Sequence, residues 1–414
     1  MTAYSTLIQV FGRIGFLSFG GPAAQIALMH RELVEERPWL TEQQFLRSLS
    51  FCMLLPGPEA MQLATYAGWR LRGIPGGLIA GGLFVLPGAV VIALLALLYA
   101  QYGARPETEA LLLGVKACVV VIVAQALVRL SRKALKGTPD YLVAGLSFLA
   151  IFLLGMPFPL IIALAALWGA CRAAAPGETP PEPATRKTRP ATIILWAALW
   201  LIPLPILWLT GQDLLFDLAL FFAKLAVVTF GGAYAVLAYM AQEVVETRAW
   251  LDAAQMVDAL GLAETTPGPL ILVTQFVGQL TGHAQGGPWL ALAAGGLTLW
   301  MTFVPCFLWI FAGAPYIENL LARPRLQSAL AAITAAVVGV ILNLSLWFAL
   351  HVVFAALTPV ALGPVTLDLP RPDTLRWEIL PLTALATLLL VWAKRGVPVT
   401  LALSAGLGWA LTLV

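Results

Sequence analysis

Residues 11–58 of this chain recur as residues 222–269, 211 positions later and without a gap. Ser18-Phe19-Gly20-Gly21 returns as Thr229-Phe230-Gly231-Gly232, and Pro56-Gly57-Pro58 returns as Pro267-Gly268-Pro269. Between them Glu32, Val34, Glu35, Arg37, Trp39 and Leu40 return as Glu243, Val245, Glu246, Arg248, Trp250 and Leu251. Eighteen of the 48 aligned positions are identical, and Arg13 aligns with Lys224. A passage repeated half a chain later calls for two related halves. In both copies, Gly and Pro interrupt apolar sequence at the same places. That combination points to a secondary transporter, whose broken helices mark the binding site.

The surrounding composition sets the solvent. Hydrophobic residues make up 60% of the chain and charged residues 11%, against about 25% charged in soluble domains. Apolar stretches long enough to cross a bilayer recur at 76–102, 108–129, 191–211, 286–314 and 326–354. The fold class read from this is an all-α polytopic membrane protein. The N-terminus lacks a basic leader and Arg13 interrupts its apolar run, so it does not read as a cleaved signal peptide. Cys52, Cys118, Cys171 and Cys306 are isolated in apolar sequence, which argues against both a disulfide framework and a thiolate metal site. A net charge of +3 gives no reason to expect nucleic acid.

Thirteen apolar spans can be traced along the chain. They divide into an N-terminal membrane repeat (1–173), a Pro- and charge-rich cytoplasmic linker (174–190), a connecting span (191–211) and a C-terminal repeat (212–414). Two repeats of about six spans joined by one odd span must be inverted relative to each other. The basic residues agree: Arg70, Arg72, Arg129, Arg132, Lys133, Lys136, Arg172, Arg323, Arg325, Lys394 and Arg395 fall on one side. The positive-inside rule then places the N-terminus in the cytoplasm and the C-terminus outside.

Three groups of residues could carry chemistry. At the Gly-Gly breaks, Ser18, Gly20 and Gly21, with Thr229, Gly231 and Gly232, would expose backbone N–H groups at the positive end of a half-helix, which suits an anion. Close helix packing through small residues is the bland alternative. At the Pro-Gly-Pro breaks, Gly57 and Gly268 are placed with the substrate-binding residues, as are Thr265 and Thr266 before the second break. Glu59 and Glu264 flank these breaks; an intramembrane carboxylate suggests proton coupling, and a helix cap is the alternative. The cations Arg13, Lys116 and Lys224 have no evident acidic partner in their own spans and suggest a polyatomic anion, with snorkelling to an interface as the alternative. A weaker repeat at an offset of 218 pairs Pro87 with Pro305 and Lys116 with Thr334.

The stretch His30 to Arg37 and its twin from Glu243 to Arg248 read as solvated helix ends or gates. His30, His283 and His351 do not cluster, so no metal site is expected, and no nucleotide, cofactor or nucleophile-elbow motif appears. Neither a cofactor nor a catalytic residue is expected.

The breaks also carry a family resemblance. Phe11-Gly12-x-x-Gly15-x-x-Ser18-Phe19-Gly20-Gly21-Pro22-x-x-Gln25, Leu55-Pro56-Gly57-Pro58, Phe84-Val85-Leu86-Pro87 and Glu264-Thr265-Thr266-Pro267-Gly268-Pro269-Leu270 resemble the chromate ion transporter family in its long, two-domain form. The resemblance implies a bacterial inner-membrane protein that exports chromate, confers resistance to it and uses the proton motive force. Sulfate, a similar dianion, is the expected competitor or the alternative substrate. A membrane-bound chromate reductase is the rival from another class, and an ungated anion channel is a third reading. The coupling ion and the oligomeric state, with a homodimer among the options, stay open at this point.

Overall fold

The computed structural model describes all residues but 1, 173–187, 231, 318–319, 321–322, 363–364 and 412–414. Most of the expected linker and Gly231 thus lie outside the described residues. Almost all the rest is helical: α1 (Tyr4–Leu17), α2 (Gly21–His30), α3 (Glu42–Leu54), α4 (Glu59–Tyr102), α5 (Pro106–Ala134), α6 (Thr138–Leu154) and α7 (Phe158–Arg172) precede the gap. After it come α8 (Pro190–Leu201), α9 (Pro203–Leu209), α10 (Asp213–Val228), α11 (Ala233–Ala241), α12 (Ala253–Thr265), α13 (Val273–Gly313) and α14 (Pro324–Val353). A two-stranded hairpin, β1 (Leu357–Leu362) and β2 (Val365–Pro370), precedes α15 (Ile379–Thr387) and α16 (Val397–Leu411). Among the described residues, five helical segments are long and apolar enough to cross a membrane: Glu59–Tyr102, Pro106–Ala134, Pro190–Leu209, Leu270–Tyr316 and Pro324–Val353. The chain is a multi-pass membrane protein.

The repeated sequence folds into repeated local structure. At the end of α1, Ser18 takes φ −79° and ψ 69°, and Phe19 N–H donates to the Leu17 carbonyl at 3.0 Å. At the end of α10, Thr229 takes φ −75° and ψ 81°, and Phe230 N–H donates to the Val228 carbonyl at 3.0 Å. Both are inverse γ-turns. Beyond them Gly20 (φ 85°), Gly21 (φ 77°) and Gly232 (φ 97°) sit in left-handed backbone, which a side chain would strain. The next helix of each copy opens on a reciprocal cap, Thr41 with Gln44 before α3 and Asp252 with Gln255 before α12.

The long helices α4 and α13 are each a helical hairpin. The chain reverses at Arg72–Gly73 in the first and at Gly286–Gly287 in the second, with Gly73 at φ 66°, ψ −157° and Gly287 at φ 72°, ψ −164°. Small residues let the arms touch: a Cβ on Gly68 would collide with the Gly76 carbonyl, and one on Gly282 would lie 2.7 Å from the Leu290 carbonyl oxygen. These breaks fall where the sequence separates its spans.

The chain forms two compact units, each drawn from both halves of the sequence. The first comprises Met1–Leu97, Ala175–Ala233 and Thr266–Leu326. Its core includes Phe11, Ile14, Phe51, Phe84, Phe221, Phe222 and Phe276. In it α8 and α13 exchange indole hydrogen bonds, Trp200 to the Met301 carbonyl at 3.1 Å and Trp300 to the Leu199 carbonyl at 2.9 Å. The second unit comprises Leu98–Ala174, Tyr234–Thr265 and Gln327–Val414. There glycines bring helices together: Gly114 of α5 meets the Ser404 carbonyl of α16, and Gly339 of α14 meets the Ala144 carbonyl of α6. The β-hairpin belongs to this unit and departs from the all-helical expectation. A cavity of about 400 Å³ lies beside it, lined among others by Gln242, Glu246, Trp347, His351 and Asp368.

Candidate functional site

The two kinds of break meet in the first unit, and they meet crosswise. Gly57 N–H donates to the Thr229 carbonyl at 2.9 Å, and Gly268 N–H donates to the Ser18 carbonyl at 2.8 Å. Each Pro-Gly-Pro loop therefore bonds to the Gly-Gly break of the other half, and the two bonds are related by the same offset of 211 residues. Gly57 (φ 116°) and Gly268 (φ 86°) occupy backbone that favours glycine, so neither loop can form with a larger residue without strain.

A second symmetric contact seals each loop. A Cβ on Gly88, which follows Pro87, would collide with the Pro267 carbonyl. Cys306, which follows Pro305, brings its Sγ to 3.0 Å from where a Cβ on Gly57 would lie. The hydroxyls of Ser18 and Thr229 are turned back on their own helices: Ser18 Oγ donates to the Ile14 carbonyl at 2.6 Å, and Thr229 Oγ1 donates to the Leu225 carbonyl. These two residues enter the crossing through their carbonyls.

The polar side chains at the crossings are not symmetric. Gln25 Nε2 donates to the Gly268 carbonyl at 2.7 Å, and Val236 stands at the equivalent place in the other half. Gln62, fully buried, donates through Nε2 to the Pro56 carbonyl at 2.7 Å, while its Oε1 is buried with no hydrogen-bond partner among the described residues. A Cβ on Gly232 would lie 3.7 and 3.9 Å from the carboxylate oxygens of Glu59. Leu270 and Val273 stand where a second Glu59 and a second Gln62 would be.

The cations differ from the sequence expectation. Arg13, half exposed, pairs with Glu32 at 3.5 Å, and the fully buried Glu32 carboxylate also accepts from Arg37 Nη1 at 2.6 Å. Lys116 Nζ lies 2.8 Å from Asp258 Oδ1, with side-chain exposures of 12% and 8%. Tyr99 OH donates to the other Asp258 oxygen at 2.8 Å. Arg13 and Lys116 thus have acidic partners from other parts of the chain; the expectation rested on what each span alone contains. Lys224 lies on α10, which leads into the Thr229 turn.

Arg13, Ser18, Gly20, Gly21, Gly57, Glu59, Lys224, Thr229, Gly232, Thr266 and Gly268 belong to the first unit, and Lys116, Glu264 and Thr265 to the second. Glu264 is buried and accepts from Tyr234 OH at 2.9 Å, and Thr265 Oγ1 donates to the Leu262 carbonyl at 2.7 Å. Sequence reasoning read Glu32 as part of a solvated helix end or gate, whereas the structure buries it fully, and it assigned no role to Asp258 or to Gln25, Gly88, Cys306 and Gln62. A signal existed for the middle pair, since both follow prolines that align at an offset of 218. Among the described residues no group of three or more His, Cys, Asp or Glu side chains is arranged to hold a metal ion.

A family model described as "Chromate transporter" matches residues 5–170 and 216–409. The chain belongs to the chromate transporter family. The chain is 32% identical over 347 residues to a probable chromate transport protein of Synechococcus elongatus, covering 82% of this chain and 83% of that one. It is 30% identical to a chromate transport protein of Cupriavidus metallidurans, covering 81% and 80%. A shorter member of the comparison, an uncharacterized transporter of Bacillus subtilis, is 30% identical and is covered over 93% of its length by 39% of this chain. No solved structure matches this member of the chromate transporter family.

Proposed function

We propose that this protein is a secondary active transporter that exports chromate across a bacterial inner membrane, confers resistance to it and is driven by the proton motive force. The observation that carries the substrate is the similarity, over about four fifths of the chain, to relatives named chromate transport proteins. The role is transport and not catalysis; sulfate, as a similar dianion, competes. The N-terminus lies in the cytoplasm and the two related halves run in opposite directions through the bilayer. The short Bacillus relative supports this division, because a whole protein corresponds to less than half of this chain.

The crossed loops of the first unit are the proposed oxyanion site. The N–H groups of Gly57 and Gly268 are used in the crossing, so the anion is assigned to the left-handed turns at Gly20, Gly21 and Gly232, where no Cβ hinders approach to the backbone and where backbone N–H groups suit an anion. Lys224 adds positive charge on the same unit, and the half-exposed Arg13 lies there beside Glu32. Glu59 or Glu264 carries the coupling proton. The test is chromate content in cells: cells expressing the protein should hold less radiolabelled chromate than control cells, and a protonophore should abolish the difference. Equal chromate content in the two cell lines would reject export.

A further inference from the structure

We propose that Glu59 is a tethered anion: its carboxylate occupies the Gly232 end of the oxyanion site, and the transported anion binds there only when Glu59 is protonated and withdraws. This rests on the reading of the protein as a chromate transporter and identifies how the site and the coupling group are joined.

The geometry supplies the argument. Both carboxylate oxygens of Glu59 lie within 3.7–3.9 Å of the position a Gly232 side chain would take, on the open face of left-handed backbone directly before α11. That face is the one a glycine keeps free for an approaching anion. A carboxylate held there neutralises the backbone donors as a bound oxyanion would. A dianion and a carboxylate cannot share the seat, because like charges at such separation repel strongly in a poorly screened interior.

The neighbouring groups show that this end of the site is built for a changing occupant. Fully buried Gln62, one helical turn from Glu59 on α4, leaves Oε1 without a partner. A buried acceptor without a donor is costly, and a carboxylic acid hydrogen nearby is the kind of donor it lacks. The symmetric crossing has neither group. Leu270 and Val273 replace them, Gln25 satisfies the Gly268 carbonyl, and Gly88 packs its backbone against Pro267. Buried amide oxygens without a partner among the described residues occur beside both crossings, Gln62 Oε1 at one and Gln275 Oε1, next to Ala89, at the other; the titratable side chain belongs to one crossing alone. Of the two carboxylates singled out by the sequence, Glu59 is the one that belongs to the same unit as the site and lies beside Gly232.

The prediction is a linkage between anion and proton. Each anion that displaces the carboxylate takes up one proton at Glu59, so affinity should fall about tenfold per pH unit wherever unliganded Glu59 is ionised. The experiment is calorimetric titration of the full-length protein in nanodiscs with chromate between pH 8 and 9, where chromate itself stays dianionic. Buffers of different ionisation enthalpy report the protons taken up. Wild type should take up about one proton per chromate and show the tenfold slope. Glu59→Gln should take up none, lose the slope, and bind chromate at least tenfold more tightly at pH 8.5, because the internal competitor is gone. Glu59→Ala should behave the same way, which a merely structural glutamate would not do. Wild-type slope and proton uptake in both variants would overturn the tether while leaving the transporter intact, and so would weaker, still pH-dependent binding in both. No chromate binding by the wild type would overturn the transport reading and the tether with it.

Discussion

Lys116 shows what an ionised side chain requires inside this protein. Its ammonium and the Asp258 carboxylate, 2.8 Å apart and almost fully enclosed, neutralise each other, and Tyr99 fills the remaining carboxylate oxygen. Removing one member leaves an uncompensated buried charge, which costs about 3–5 kcal/mol, whereas removing both leaves none. Lys116→Ala should therefore lower the melting temperature of the purified protein markedly, and adding Asp258→Asn should restore most of it. Equal destabilisation by the single and double variants would contradict the pairing. The cation was legible in the sequence because it interrupts an apolar span. Its partner was not, because Asp258 lies on a helix far away in the chain and only the tertiary fold brings it near. Arg13 and Glu32 repeat the lesson, since an arginine and a glutamate that meet across the first break are separated by it in the sequence.

At the scale of elements, Gly and Pro punctuate the fold, and this level was the most readable. The γ-turns after α1 and α10, the Pro-Gly-Pro loops and the reversals at Gly73 and Gly287 all fall where helix continuation is costly. What the punctuation could not reveal is that the loops cross, because a backbone hydrogen bond between halves leaves no trace in either motif. The crossing predicts sharply different tolerance along one helix. Gly88→Ala would press a methyl group into the Pro267 carbonyl, whereas a Cβ at Gly82, also on α4, meets nothing within 4 Å. Gly88→Ala should abolish chromate resistance, and Gly82→Ala should preserve it with a small gain in helix stability. Resistance growth assays alongside membrane expression levels check both, and a fully resistant Gly88→Ala strain would contradict the close packing. The β-hairpin went unread for a different reason. Val365-Thr366-Leu367-Asp368-Leu369 alternates as a strand should, but a five-residue alternation is a weak signal beside the long apolar runs on either side of it.

For the whole molecule, the expectation of inverted halves makes a topological prediction. With the N-terminus inside, a cysteine at Arg105 should face the outside and one at Arg323 the cytoplasm. In a background without the four native cysteines, a membrane-impermeant maleimide added to intact cells should label Arg105→Cys and spare Arg323→Cys until the cells are opened. Labelling of both in intact cells would contradict the inversion and the orientation drawn from the basic residues. The account as a whole turns on energy-coupled chromate movement, and reconstitution tests that directly. Proteoliposomes carrying the protein in mixed orientation, with a pH gradient imposed in each direction in turn, should accumulate radiolabelled chromate above its external concentration under one of the two. The accumulation should collapse when the pH gradient is dissipated, and excess sulfate should slow it. Chromate uptake that never exceeds equilibration, or that proceeds equally with and without the gradient, would contradict secondary active transport.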